Sequence, residues 1–161
     1  MITEANTGWI AARPKRSPPD EVSLVKDPKP RRVLGCGTFD HFHPGHEAFL
    51  RQALSLGEEL FVVVARDENV NRIKGRPPDQ QESARLAAVT AHASVKDARL
   101  GYPGADFLRV VADINPDIIA LGYDQRPPGG LAEAFPECEI VTLGAFEPER
   151  YKSSLMRGHR P

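Results

Sequence analysis

The sequence has only two cysteines, Cys36 and Cys138, too few for a disulfide framework. Their scarcity fits a reducing compartment, where both are expected to be buried thiols. Charge of one sign is also lacking: 21 Lys and Arg stand against 22 Asp and Glu, a formal net charge of −1. That balance gives no whole-chain attraction to nucleic acid, so any anion chemistry must come from local clusters. Long apolar runs are absent as well. The opening stretch MITEANTGWIAARPKRSPPD has no apolar core segment of the length a secretory signal needs. The expectation is a cytoplasmic protein with neither nucleic-acid nor membrane partners.

Two familiar phosphate-binding signatures are missing too. GCGTFD, residues 35–40, lacks the third glycine of a dinucleotide fingerprint, and no acidic residue closes a following strand at the required distance. A glycine-rich loop ending in Lys then Ser or Thr occurs nowhere. What remains is a chain of 161 residues, 40% apolar and 27% charged, enough for one domain with a real core. Residues 1–30 stand apart, because Pro14, Pro18, Pro19, Pro28 and Pro30 fall among charged and small polar residues. They read as a flexible N-terminal leader with Trp9 as its one candidate contact for a partner. Residues 31–161 form the domain.

In that domain, short apolar runs alternate with longer amphipathic ones, the pattern of β-α-β units. Strands are expected at 33–36, 60–65, 95–100, 117–121 and 139–143, each rich in Val, Ile and Leu as strands covered on both faces should be. Helices are expected at 44–56, ending at Gly57, at 80–92, and at 105–114, where Pro116 disfavours helix at Asn115. The fold class is α/β: a doubly wound, five-stranded, Rossmann-like parallel sheet of order 3-2-1-4-5 with helices on both faces. Such sheets bind ligands beyond the carboxyl ends of their strands, where strand order reverses. The loops after strands one and four should face each other there.

Three of the five histidines fall in one of those loops, within GTFDHFHPGHEAFL, residues 37–50. Pro44 suits a first helical turn, and Gly45 lets a ligand approach the backbone. Free amides and the positive end of the helix dipole would then make an anion site. His43 and His46, three apart, address one phosphate group from the same side of the turn. A zinc site built from His41, His43 and His46 competes with this reading. A loop entering a helix seldom supplies the geometry such a site wants, and no protein-bound metal is expected.

The histidine stretch resembles the Thr-Phe-Asp…His-x-Gly-His signature of the nucleotidyltransferase superfamily. YKSSLMR, residues 151–157, resembles that family's C-terminal Ser-Ser/Thr-x-x-Arg element, and LGYDQ, residues 121–125, resembles its loop after strand four. With VARDENVNRIKGRPP, residues 64–78, the likeness is greatest to archaeal-type FAD synthetases. It covers residues 31–157.

The resemblance implies attack by a substrate phosphate on the α-phosphorus of a nucleoside triphosphate, with release of pyrophosphate. Both reactants are anions, so the site must gather positive charge and align the groups. His43, His46 and Arg157 take the catalytic roles, and a polyphosphate neighbour would raise the basicity of both imidazoles. Gly37, Thr38, Phe39, Gly45, Gly122, Asp124, Lys152, Ser153 and Ser154 bind nucleotide or phosphate, with Asp40 orienting the loop. Lys74, Arg76 and Arg85 close over phosphates of either substrate; on the structural alternative, the first two lie in a solvated loop and Arg85 on a helix surface. Mg²⁺ is expected as counterion of the triphosphate, ATP before CTP, held by phosphate and water.

The acceptor expected is FMN, giving FAD. Two alternatives stay open: a cytidylyltransferase acting on glycerol 3-phosphate or another small phosphate ester, and a nucleotide-binding regulatory module without turnover. A homodimer is possible in this superfamily, but no interface is legible in the apolar pattern.

Overall fold

A computed structural model of the chain describes residues 29–104 and 106–144. Five parallel strands, β1 (Arg32–Gly37), β2 (Glu59–Val64), β3 (Asp97–Leu100), β4 (Ile118–Leu121) and β5 (Glu139–Thr142), form one sheet. Their order is β3-β2-β1-β4-β5, the order expected of the doubly wound fold class. Between them, among the described residues, lie α1 (Pro44–Leu54), α2 (Asp67–Lys74), α3 (Glu82–Thr90), α4 (Phe107–Ile114) and α5 (Leu131–Ala134).

The central strand sets the register. Val33, Leu34 and Gly35 of β1 pair with Leu60, Phe61 and Val62 on one side and with Ile118, Ile119 and Ala120 on the other. Strand order reverses between β2 and β4, so the mouth of β1 is where a crevice opens. Successive side chains on a strand face opposite ways. Val33 accordingly enters a cluster with Leu50, Ala53, Leu60, Val62 and Val89 on the α1 and α3 side. Leu34 enters a second with Val110, Val111, Ile114, Ile119 and Leu131 on the α4 and α5 side. Each of the fully buried Leu and Ile side chains contributes about 1.5–3 kcal/mol relative to exposure.

Glycine on β1 has a packing task. A Cβ on Gly35 would stand 3.1 Å from a ring carbon of Phe49, and one on Gly37 would stand 2.9 Å from a ring carbon of Phe39. The missing side chains leave a floor on which two aromatic rings from the histidine segment lie.

Differences from the sequence expectation are local. The strand expected from Val95 begins at Asp97, and the helix expected to run to Leu56 ends at Leu54. Helix α2 occupies part of what reads as a loop. It buries only Asn69 and Val70, so no apolar stripe announces it, although Gly75 closes it in the left-handed conformation (φ 81°). The short α5 also has no apolar periodicity.

Gly57, at the turn between α1 and β2, admits no side chain. A Cβ there would lie 2.9 Å from the carbonyl oxygen of Arg31 and 2.8 Å from Val33 Cγ2. Backbone cannot step aside as a side chain can. Gly57→Ala is therefore expected to lower stability by about 1–3 kcal/mol, read as a shifted urea midpoint at constant m-value; an unshifted midpoint would show that the turn relaxes freely.

Candidate active site

The segment between β1 and α1 does not run straight. Phe39 (φ 56°) and His41 (φ 54°) both adopt the left-handed conformation, which costs a non-glycine residue about 1–2 kcal/mol. The turn brings His43 to the N-cap of α1 in extended geometry, with Pro44 opening the helix. His43 Nδ1 accepts from the Gly45 N–H at 3.1 Å, and His46 Nδ1 accepts from the His43 N–H at 3.3 Å. Two imidazoles thus cap a helix in the way Ser and Glu ordinarily do. Their rings stack with centroids 3.8 Å apart, against a bed formed by Phe39 and Phe42, 5.3 and 5.4 Å from the His46 ring.

This geometry corrects the expectation of free first-turn amides, because the N–H groups of His43 and Gly45 are taken by ring nitrogens. It also fixes the tautomers. With each Nδ1 accepting, the proton of each neutral ring sits on Nε2 and makes it a donor. Protonating Nδ1 would break the cap. Burial, then the charge of His41, holds His43 below its ordinary pKa. Burial, followed by His43, pushes His46 down to about 3; Asp40 opposes the shift, while His41 and Lys74 add to it. In the protein alone the pair is neutral, with its Nε2–H groups as directional donors.

Asp40, nearly fully buried, accepts the N–H groups of Asp79 and Gln80 at 2.8 and 3.0 Å. His41 reaches the same segment, its N–H donating to Gln80 Oε1 at 3.1 Å and its ring pairing with Asp79 Oδ2 at 2.6 Å. Oxygen and nitrogen atoms of Asp40, His41 and Asp79 lie close enough to suggest a metal cluster. The Asp40 oxygens are engaged by amides, and Asp79 is shared between His41 and Arg76, the latter 3.6 Å from Oδ1. These bonds read as a clamp between two loops.

Arg85 departs from both readings made of it, a cation closing over a phosphate and a helix-surface residue. It is fully buried, and its guanidinium donates to Gln80 O at 2.9 Å, Thr38 O at 2.7 Å and Asp67 Oδ1 at 2.6 Å. A group committed to three protein oxygens acts on the site through the backbone. Lys74 and Arg76 are exposed, and the effect of Lys74 on His46 places its charge within electrostatic reach of the stacked rings.

Across the crevice, Gln125 is a residue that sequence reasoning missed. Its Oε1 accepts from Gly122 N–H at 2.7 Å and its Nε2 donates to Cys36 O at 3.0 Å, tying the loop after β4 to the end of β1. A loop glutamine carries no periodic signal, so only its place in LGYDQ singled it out. Asp124 is exposed on that loop. A Cβ on Gly122 would make only ordinary contact with Gln125, at 3.6 Å. Lys152, Ser153, Ser154 and Arg157 lie outside the described residues.

Comparison with known proteins places the sequence and the fold. Residues 34–152 match a family model described as cytidylyltransferase-like. The chain is 53% identical over 95 residues to a FAD synthase of Methanosarcina mazei, covering 59% of this chain and 61% of that protein. It is 42% identical over 132 residues to a FAD synthase of Methanoregula boonei, covering 78% and 86%. The aligned region thus spans about six tenths of the first relative's length. Among solved structures, a lipopolysaccharide core biosynthesis protein from Thermoplasma volcanium superposes with a TM-score of 0.68 at 36% identity, covering 73% of this chain and 99% of that one.

The neutral imidazoles have a pH signature. His46 titrates near 6.5 when unfolded and near 3 when folded, so between those values the unfolded chain binds more protons. Stability is complete above about pH 6.5 and falls on acidification, by up to about 1.4 kcal/mol per pH unit for one such group. Urea midpoints should drop from pH 7 to pH 5, and His46→Gln should flatten the slope. A flat wild-type profile would contradict the neutral assignment.

Proposed function

The chain belongs to the cytidylyltransferase-like family, and from that premise we propose that it transfers AMP from ATP to FMN, forming FAD and pyrophosphate. The observation that carries the reading is the stacked His43 and His46 pair, Nε2–H groups on both rings, at the helix N-terminus beside the β1 and β4 loops. The choice of substrates rests on the FAD synthases to which the chain is similar.

A phosphate oxygen of FMN attacks the α-phosphorus, a new P–O bond forms, and the bond from the α-phosphorus to the bridging oxygen breaks. The electron pair leaves with pyrophosphate. The attacking phosphate is already ionised, so no general base is needed, and the protein supplies alignment and donors. His43 and His46 donate through Nε2–H toward the oxygens on which negative charge builds. The Phe39 N–H and the Thr38 hydroxyl approach the α-phosphate, while Gly37 and Gly45 keep the backbone open to it. Lys152, Ser153, Ser154 and Arg157 hold the β- and γ-phosphates through hydroxyls, amides and a guanidinium fork. Lys74 and Arg76 carry positive charge to the acceptor side, and Asp124 accepts from ribose or base. Mg²⁺ accompanies the triphosphate. Asp40 is engaged by backbone amides and Asp79 by His41 and Arg76, so phosphate oxygens and water would hold the ion.

Incubation with ATP, Mg²⁺ and FMN should yield FAD and pyrophosphate in equal amounts. Finding neither would overturn the reading, and turnover of CTP with glycerol 3-phosphate instead would move the assignment to another acceptor. His46→Ala should lower kcat/KM about a hundredfold, or about 3 kcal/mol, as losing one oxyanion donor does.

A further inference from the structure

Arg85 sits on α3 with its guanidinium fully buried, and it serves three segments at once. Nη2 pairs with Asp67, the first residue of α2, at 2.6 Å. Nε holds the Gln80 carbonyl at 2.9 Å, and Nη1 holds the Thr38 carbonyl at 2.7 Å. The three bonds leave from three different nitrogens of a planar fork; an ammonium also has three donors, but all on one nitrogen, so it cannot span the same three acceptors.

The Thr38 carbonyl belongs to the peptide unit that also carries the Phe39 N–H. No described peptide bond is cis, and a trans peptide is planar with its C=O and N–H pointing in opposite directions. Pulling the carbonyl inward toward α3 turns the amide outward. Among the described residues, no acceptor takes the Phe39 N–H. Phe39 also holds its left-handed φ of 56°, a conformation that persists only where neighbours over-determine it. We propose that Arg85 is a positioning residue that, by gripping the Thr38 carbonyl, aims the Phe39 amide into the crevice at the mouth of β1 as a donor to the triphosphate. This rests on the nucleotidyl-transfer reading above and adds to it a buried residue that touches neither substrate.

The test compares Arg85→Lys with Asp67→Asn. The lysine keeps a cation beside Asp67 but loses the fork, whereas the asparagine keeps an oxygen for Arg85 and leaves the Thr38 bond in place. Arg85→Lys should lower kcat about a hundredfold, the scale of losing one oxyanion donor, with the KM for ATP changed less than about threefold. Asp67→Asn should lose stability in urea while keeping most of kcat. Loss of kcat in both variants, in proportion to their lost stability, would reduce Arg85 to a core brace and overturn the proposal. The second readout needs no turnover: adding MgATP to ¹⁵N-labelled wild type should shift the Phe39 amide resonance downfield, and Arg85→Lys should abolish that shift. A wild-type amide that ignores bound MgATP overturns the proposal even if the lysine variant fails to fold. Absence of turnover in wild type with every nucleotide and acceptor tested is a different result, and it refutes the transferase reading itself.

Discussion

The site depends on holding a turn in a conformation its residues do not prefer. Phe39 and His41 are both left-handed, at about 1–2 kcal/mol each, and the bulky Phe39 side chain does nothing to favour it. Asp40, between them, accepts two amides from residues 79 and 80. Arg85 grips the carbonyls on either side of that junction, Thr38 and Gln80. Hydrogen bonds involving a charged group contribute about 1.5–3 kcal/mol each, so these four outweigh the two strained residues. Three of the four join residues 39 to 47 apart in sequence, so the turn is held by tertiary contacts. Geometry for chemistry is thereby made a consequence of folding.

The clamp continues into the neighbouring helices. Asp67 and Glu82 each begin a helix, and each carboxylate accepts from the other's backbone N–H, at 3.2 and 2.8 Å. Acidic groups at helix N-termini also complement the dipole. α2 and α3 are thus joined at their positive ends by the acid that pairs with Arg85. The exposed cation Lys74 ends α2 and Arg76 follows it, so both hang from a helix anchored by this buried node.

Legibility divides along the same line. The five strands follow from short Val, Ile and Leu runs separated by helical periods, because burial on both faces leaves a local trace; their order comes from the doubly wound fold class. The imidazole pair was legible from spacing alone. What escaped was the polar network, whose partners are far apart in sequence. Arg85 did leave one sign: it stands four residues before Val89, the apolar residue that α3 buries, so the guanidinium shares the core-facing stripe. A cation on an apolar stripe is a buried, partnered cation more often than a surface one when its fork finds acceptors. Asp67 and Glu68 at the start of α2 and Gly75 at its end were also signs of a helix whose apolar stripe is too thin to show.

The site separates direction from charge. Imidazoles buried against aromatic rings cannot readily be cations, and their Nδ1 atoms are committed to the helix cap. They are nevertheless fixed donors, because capping forces the ring proton onto Nε2. On the proposed function, long-range attraction for the anion falls to Lys74 and Arg76, which are exposed, where a hydrated charge is cheap to keep. The same Lys74 charge disfavours protonation of His46, so it helps keep the imidazole neutral. A fully charged pair at 3.8 Å would repel itself and melt the cap. Neutral donors on a rigid turn would meet the proposed polyphosphate without that cost.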